Sequence, residues 1–430
     1  MTSHHDAYAP GSGDASFDVE SYDLDIRYRV RTNRLDGHAV INAELTEPAR
    51  SVTLDLVGLR VSKLSVDGIA RGYAQNGRKV RVTLPRPMEA GERFSIDVAY
   101  GGAPRPRRSR WGLIGWEELA DGALVAAQPT GAPTWFPCND RPDDRARYTM
   151  SIAVEPEYTV AATGRLVSRD RAGGLRAWRF ASNVPTATYL AAVHIGRYTT
   201  TELGSVGGIP VTISHPPNLR AAVKRTFAPV ERMLQTFVSA FGPYPQEHCT
   251  VVVTPDELEI PLEAQGLVVF GANHLGPAHE RLVAHELAHQ WFGNSVGVAH
   301  WRDIWLNEGF ACYAEWIWAE AAGGPTAAES AANHYERIAA LPQDLVISDP
   351  GPDLMFDDRV YKRGALALHA LRAHLGDATF FDLLRRWCRL RHHHTATDAD
   401  FRELATGIGG PAAEHLLASW LDEEELPAPA

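Results

Sequence analysis

The hydrophobic pattern changes its period once, near residue 205, and that change limits the folds open to the chain. From about Tyr22 to Gly196 the sequence reads as short alternating segments between turn residues, such as Tyr22-Asp23-Leu24-Asp25-Ile26-Arg27-Tyr28 and Val80-Arg81-Val82-Thr83-Leu84. Successive side chains of a strand point to opposite faces, so evenly spaced segments of this kind predict a mostly antiparallel β domain. Beyond residues 203–218 the apolar positions recur at helical spacing, over 221–241, 279–292, 303–322, 327–341, 360–375, 377–390 and 398–404. Gly323-Gly324 closes one of these helices, and Thr326 is placed to cap the next. The reading is α+β. A loose lead-in over 1–18 precedes an N-terminal β domain over 19–204 and a mainly helical domain over 205–427.

With 45% hydrophobic and 22% charged residues in 430, the composition is that of a globular protein. The formal charge of −11 argues against nucleic acid, whose phosphates call for clustered Lys and Arg. Pro104-Arg105-Pro106-Arg107-Arg108 is too short a basic run, and too poor in neighbouring aromatics, to change that. Cys138, Cys249, Cys312 and Cys388 are widely spaced and read as reduced, buried small hydrophobes. No secretory leader and no run of eighteen apolar residues is present, so the expectation is a cytoplasmic chain without a membrane span. The sequence fixes no oligomeric state.

His285-Glu286-Leu287-Ala288-His289 lies in an amphipathic helical stretch. Residues four apart stand on nearly one helix face, so both imidazoles can reach one ion, while Glu286 points about 100° away and can address a water instead. Alone, the string is also compatible with two histidines on a core helix. Eighteen residues beyond His289 comes Glu308, at the start of another helix in Leu306-Asn307-Glu308-Gly309-Phe310-Ala311. It can complete a His₂Glu set with an open fourth position, the arrangement of a catalytic site for one Zn²⁺.

With these words in place the chain resembles the aminopeptidase N family, the gluzincins that include leukotriene hydrolases. The resemblance rests on HExxH, eighteen residues and NEGFA, with His289-Gln290-Trp291-Phe292-Gly293-Asn294 and Trp301-Arg302-Asp303-Ile304-Trp305-Leu306 around it. It extends to Phe136-Pro137-Cys138-Asn139-Asp140-Arg141-Pro142, Thr188-Tyr189-Leu190, Phe241-Gly242-Pro243-Tyr244-Pro245 and the close at Ser419-Trp420-Leu421. It implies a thermolysin-like catalytic domain behind the β domain. It also implies a minimal two-domain member, lacking the C-terminal helical domain of larger relatives and more open at its site.

The resemblance further implies a zinc aminopeptidase acting on peptides with a free N-terminus. Glu286 would be the general base, and His285, His289 and Glu308 the ligands. Tyr361, in Val360-Tyr361-Lys362-Arg363-Gly364-Ala365, matches the family's transition-state tyrosine, with Arg363 where the family usually has Lys. Of the family's amine-binding GAMEN loop, Ile260-Pro261-Leu262-Glu263-Ala264 keeps only the glutamate, as Glu263; out of that register it would be a surface loop acid. Gln128 falls at a second amine-binding position and reads equally as a turn residue. Asp303, Asn307 and Glu315 could orient the ligands or simply pack. His392-His393-His394 reads as solvated, and the tryptophans as core. A zinc endopeptidase of the same fold, an epoxide hydrolase and a silent peptide-binding module are the competing readings.

Overall fold

A computed structural model describes residues 6–429, and its contacts divide them into two compact units. The first runs to Glu202 and takes in Thr212–Arg220 and Glu247–Asn273; the second comprises Leu203–Val211, Ala221–Gln246 and the chain from His274 onward.

In the first unit the alternation in the sequence becomes burial. Tyr22, Leu24, Ile26 and Tyr28 point inward from strand Phe17–Arg29, and Asp23, Asp25 and Arg27 face out. That strand is central in an eight-stranded sheet, pairing antiparallel with Arg34–Leu45 on one side. On the other side it runs parallel to Arg145–Val154, with Ile26 opposite Ile152, the one parallel pair of that sheet among the described residues. Val80, Val82 and Leu84 fill a smaller antiparallel sheet in the same way.

The lead-in differs from expectation. Residues 1–5 lie outside the described residues, but Tyr8, Ala9, Ser12 and Ser16 are buried. Gly13 donates its N–H to Asp55 Oδ2 at 2.8 Å, and Asp14 Oδ2 accepts the Thr53 N–H at 2.7 Å. The small and acidic residues that suggest a loose segment here supply tight turns and backbone acceptors that dock it.

Two of the words that carry the resemblance turn out to build this scaffold. Asn139 accepts the Asp14 N–H and donates to Phe17 O and Asp144 Oδ2, while Thr188 donates to Asp140 Oδ1 at 2.7 Å. Asp55 pairs with Lys79 at 2.6 Å beside them. Burial pushes the Asp140 carboxyl up to about 7, helped by the Asp55 charge, and burial pushes Asp144 up to about 7 as well.

The unit ends in strands drawn from the middle of the chain. Cys249–Val253 runs parallel to Leu267–Phe270, and Leu262–Ala264 adds antiparallel at the edge, with Glu263 opposite Val268. Gln128 follows the strand Gly122–Ala126 and is partly exposed, as is Glu263.

The second unit holds the helices α1 (Arg220–Thr226), α2 (Val230–Phe241), α3 (Glu280–Ala288) and α4 (Trp305–Ala321). After them come α5 (Ala327–Ala339), α6 (Asp358–Leu375), α7 (Asp377–Leu390) and α8 (Asp398–Leu421). The stretch expected as one helix over 221–241 is broken ahead of Val230, where Pro229 disfavours helical geometry in the residue before it. The last helix is longer than its pattern suggested, resuming after a break at Gly410-Pro411. Thr326 caps α5 as expected, in a reciprocal box with Glu329.

Every residue of α4 from Trp305 to Trp318 is buried, as in a helix surrounded by others. It crosses α6 at two glycines: a Cβ built on Gly309 would lie 3.0 Å from the Cα of Gly364, and the reverse holds too. None of the four cysteines forms a disulfide, and all are buried. No helix among the described residues is long and apolar enough to cross a membrane.

Candidate metal centre

The centre is built on α3 and α4. Val283, Ala284, Leu287 and Ala288 bury the apolar side of α3 and carry His285 and Glu286 into the interior with them. The helix closes at His289, whose N–H still reaches His285 O, and the chain turns at Gly293 with φ +106°. A Cβ there would stand 3.3 Å from His289 Nδ1 and 3.4 Å from Asn307 Cγ, so the glycine lets the turn fold down onto both. Trp291 fixes the turn from behind, its indole N–H shared by the Gly242 and Pro243 carbonyls and its ring edge-on to Phe241 and Tyr244. The FGPYP and HQWFGN words are thus one packing unit.

Glu308 stands in the first turn of α4, where the helix dipole favours an anion. Its Oε2 is 3.5 Å from the Nε2 of His285 and 3.5 Å from the Nε2 of His289. Tetrahedral zinc at about 2.0–2.1 Å from its ligands would set them about 3.3 Å apart, so the three side chains are spaced as a zinc ion requires.

The other ring nitrogens fix the tautomers. His289 Nδ1 lies 3.0 Å from Phe292 O, which can only accept, and His285 Nδ1 lies 2.8 Å from Glu315 Oε1. In the neutral rings these contacts place the proton on Nδ1 and leave the Nε2 lone pair toward Glu308. Burial alone would lower His285, but Glu308 and Glu315 outweigh it and raise it to about 9. Burial would raise the two glutamates; the imidazoles outweigh that and hold Glu308 at about 2, and His285 and Lys362 do the same for Glu315. With the rings neutral, the two Nε2 atoms and the ionised Glu308 carboxylate offer three donor atoms to a divalent cation.

The structure sorts the remaining candidates. Glu315, two turns along α4 from Glu308, contacts a proposed ligand directly, and Arg281 reaches its other oxygen at 3.3 Å. Asp303 instead accepts the Asp398 N–H at the start of α8, at 3.3 Å. Tyr361, in the first turns of α6, stacks over the His285 ring at 6.0 Å with the planes 16° apart. Glu263 and Gln128 belong to the first unit. Sequence reasoning missed Lys362, whose buried Nζ lies 3.2 Å from Cys312 Sγ. A lysine inside the polar face of a helix carries no local sign that it will be buried.

Two imidazoles and a glutamate on packed helices, with a second glutamate beside the first histidine, define a gluzincin-type metal centre. Comparison with known proteins agrees. The Peptidase M1 N-terminal domain matches residues 18–190 and the Peptidase family M1 domain matches 226–420. The crystal structure of an M1 zinc metallopeptidase from Deinococcus radiodurans is 32% identical, with TM-score 0.91 and all of both chains covered. A mutant of that metallopeptidase, solved bound to a Tyr-Ser-Ala substrate, is 31% identical with TM-score 0.90 over 99% of each chain. Aminopeptidase M1-A of Oryza sativa is 27% identical over 91% of this chain and 48% of its own length. The chain belongs to peptidase family M1, and it spans about half the length of the curated aminopeptidases it matches.

Proposed function

We propose that the chain is a zinc aminopeptidase that hydrolyses the first peptide bond of peptides with a free N-terminus. The observation that carries this is the approach of His285 Nε2 and His289 Nε2 to one oxygen of Glu308, with Glu286 next to the first histidine. His285, His289 and Glu308 would hold zinc, which would supply Lewis acidity that lowers the pKa of a bound water from about 15.7 toward 7. Glu286 takes the proton of the attacking water and passes it to the leaving amine. The Tyr361 hydroxyl donates to the oxyanion, a role whose loss typically costs about 10²–10³ in kcat.

Glu263 pairs with the substrate ammonium, and the Gln128 amide oxygen accepts from it. The reading is supported by the names of the relatives, aminopeptidases in rice and in Saccharolobus solfataricus, and by the tripeptide on the Deinococcus enzyme. Four cysteines outside any disulfide fit a reducing compartment, so we place the activity in the cytoplasm.

The test is a panel of aminoacyl fluorogenic substrates and a free-amine peptide beside its N-acetylated copy. Release of the first residue only, blocked by acetylation and by chelator, is expected. Equal cleavage of both peptides would replace this reading with an endopeptidase.

A further inference from the structure

Arg363 is buried, with 3% of its surface exposed, and its guanidinium is used up on a single short stretch of backbone. Nε donates to Trp420 O at 2.7 Å and Nη1 to Glu424 O at 2.6 Å. Nη2 donates to Glu423 O at 2.5 Å and Glu425 O at 3.0 Å. These carbonyls lie at and just beyond the end of α8, where no following turn supplies N–H partners. A flat fork of five donors can hold several converging carbonyls at once; a lysine ammonium, a compact point with three donors, cannot hold the same set.

The neighbours of Arg363 are fixed as well. Lys362 Nζ reaches Cys312 Sγ on α4, and the Gly364 backbone lies against Gly309, one residue past Glu308. Residues 361–364 go about once around the helix. Tyr361 therefore faces His285, while the next three residues tie the same turn to α4 and to the end of α8. The contacts to α4 set how far that turn stands from the ligand helix. The α8 contact holds the far side of that same turn, so it resists rotation of Tyr361 about the glycine crossing.

We propose that Arg363, clamped on the carbonyls of residues 420–425, is a positioning residue that holds Tyr361 in register with the metal centre. The inference rests on the role given to Tyr361 under Proposed function. It adds that the end of α8, remote from the chemistry, sets the aim of the oxyanion donor.

The test is a double-mutant cycle on one aminoacyl substrate with wild type, Arg363→Lys, Tyr361→Phe and the pair, with metal content and Tm recorded for each. Arg363→Lys should lower kcat about ten- to a hundredfold, the scale of a misplacement near one ångström, with KM changed less than about twofold and metal still bound. In the Tyr361→Phe background the same change should cost less than about twofold, because no donor remains to misplace. Equal losses in both backgrounds, or an unchanged kcat, overturn the inference and leave the role of Tyr361 standing. Full activity of Tyr361→Phe alone removes that role and the inference together. Arg363→Gln, which keeps a donor without the charge, repeats the cycle if lysine unfolds the chain.

Discussion

Glu315 Oε1 sits 2.8 Å from His285 Nδ1, so one face of α4 carries both a proposed ligand and the group that aims another ligand from α3. Glu308 and Glu315 are seven residues apart, two helical turns, which is why a single straight helix can do both. Losing the anion should weaken the metal more than it weakens the fold. Glu315→Gln is expected to lower zinc affinity about 10–100-fold, read by competition with a chelator, while Tm of the zinc-loaded protein stays within a few degrees. Arg281→Ala should change affinity far less, since the Arg281 side chain is 60% exposed and its pairing is screened.

Glu286→Gln separates binding from turnover. The amide keeps the size of the side chain but takes no proton, so kcat should fall by about 10²–10⁴ with one zinc per chain retained by elemental analysis. Turnover at the wild-type rate would remove Glu286 as the base.

The glycine crossing sets the spacing of α4 and α6. Gly364→Ala would place a methyl 3.0 Å from the Gly309 Cα, closer than packed helices normally tolerate. The expected cost is about 1–3 kcal/mol, seen as a lower midpoint in denaturant with an unchanged slope. A variant as stable as wild type would show that the helices separate without penalty.

Asp140 and Asp144 make stability depend on pH inside the β unit. Both carboxyls lie near 3.8 when unfolded and near 7 when folded, so folding favours their protonated forms. Their contribution is complete below about pH 4 and is lost as pH rises through about 7. Thermal midpoints should therefore decline from about pH 4 to about pH 7 and level off above that, and Asp140→Asn should flatten that slope. A variant with the wild-type slope would assign the pH dependence to other groups.

What the sequence disclosed was local. The inward set Tyr22, Leu24, Ile26 and Tyr28 follows from a period of two, and the cap at Thr326 from a box closed within four residues. The cluster of His285, His289 and Glu308 was legible because helical spacing aligns the two histidines and because Glu308 stands at a fixed distance along the chain. What stayed hidden was set by partners far away in sequence. The parallel pairing of Ile26 with Ile152 joins strands 126 residues apart, and no turn between them announces it. Docking of residues 6–16 depends on Asp55 and Asn139, and the clamp of Arg363 on backbone that any sequence would offer.

The passage of Glu247–Asn273 into the β unit bears on how such a chain can be cut, spliced or shuffled. No single break point releases the helices as an intact piece. A fragment begun at 205 would take the strand carrying Glu263 away from the sheets it groups with, and one stopped there would leave those sheets without it. Engineers moving this helical unit onto another scaffold would need to move three stretches of gene, and recombination in nature faces the same arithmetic.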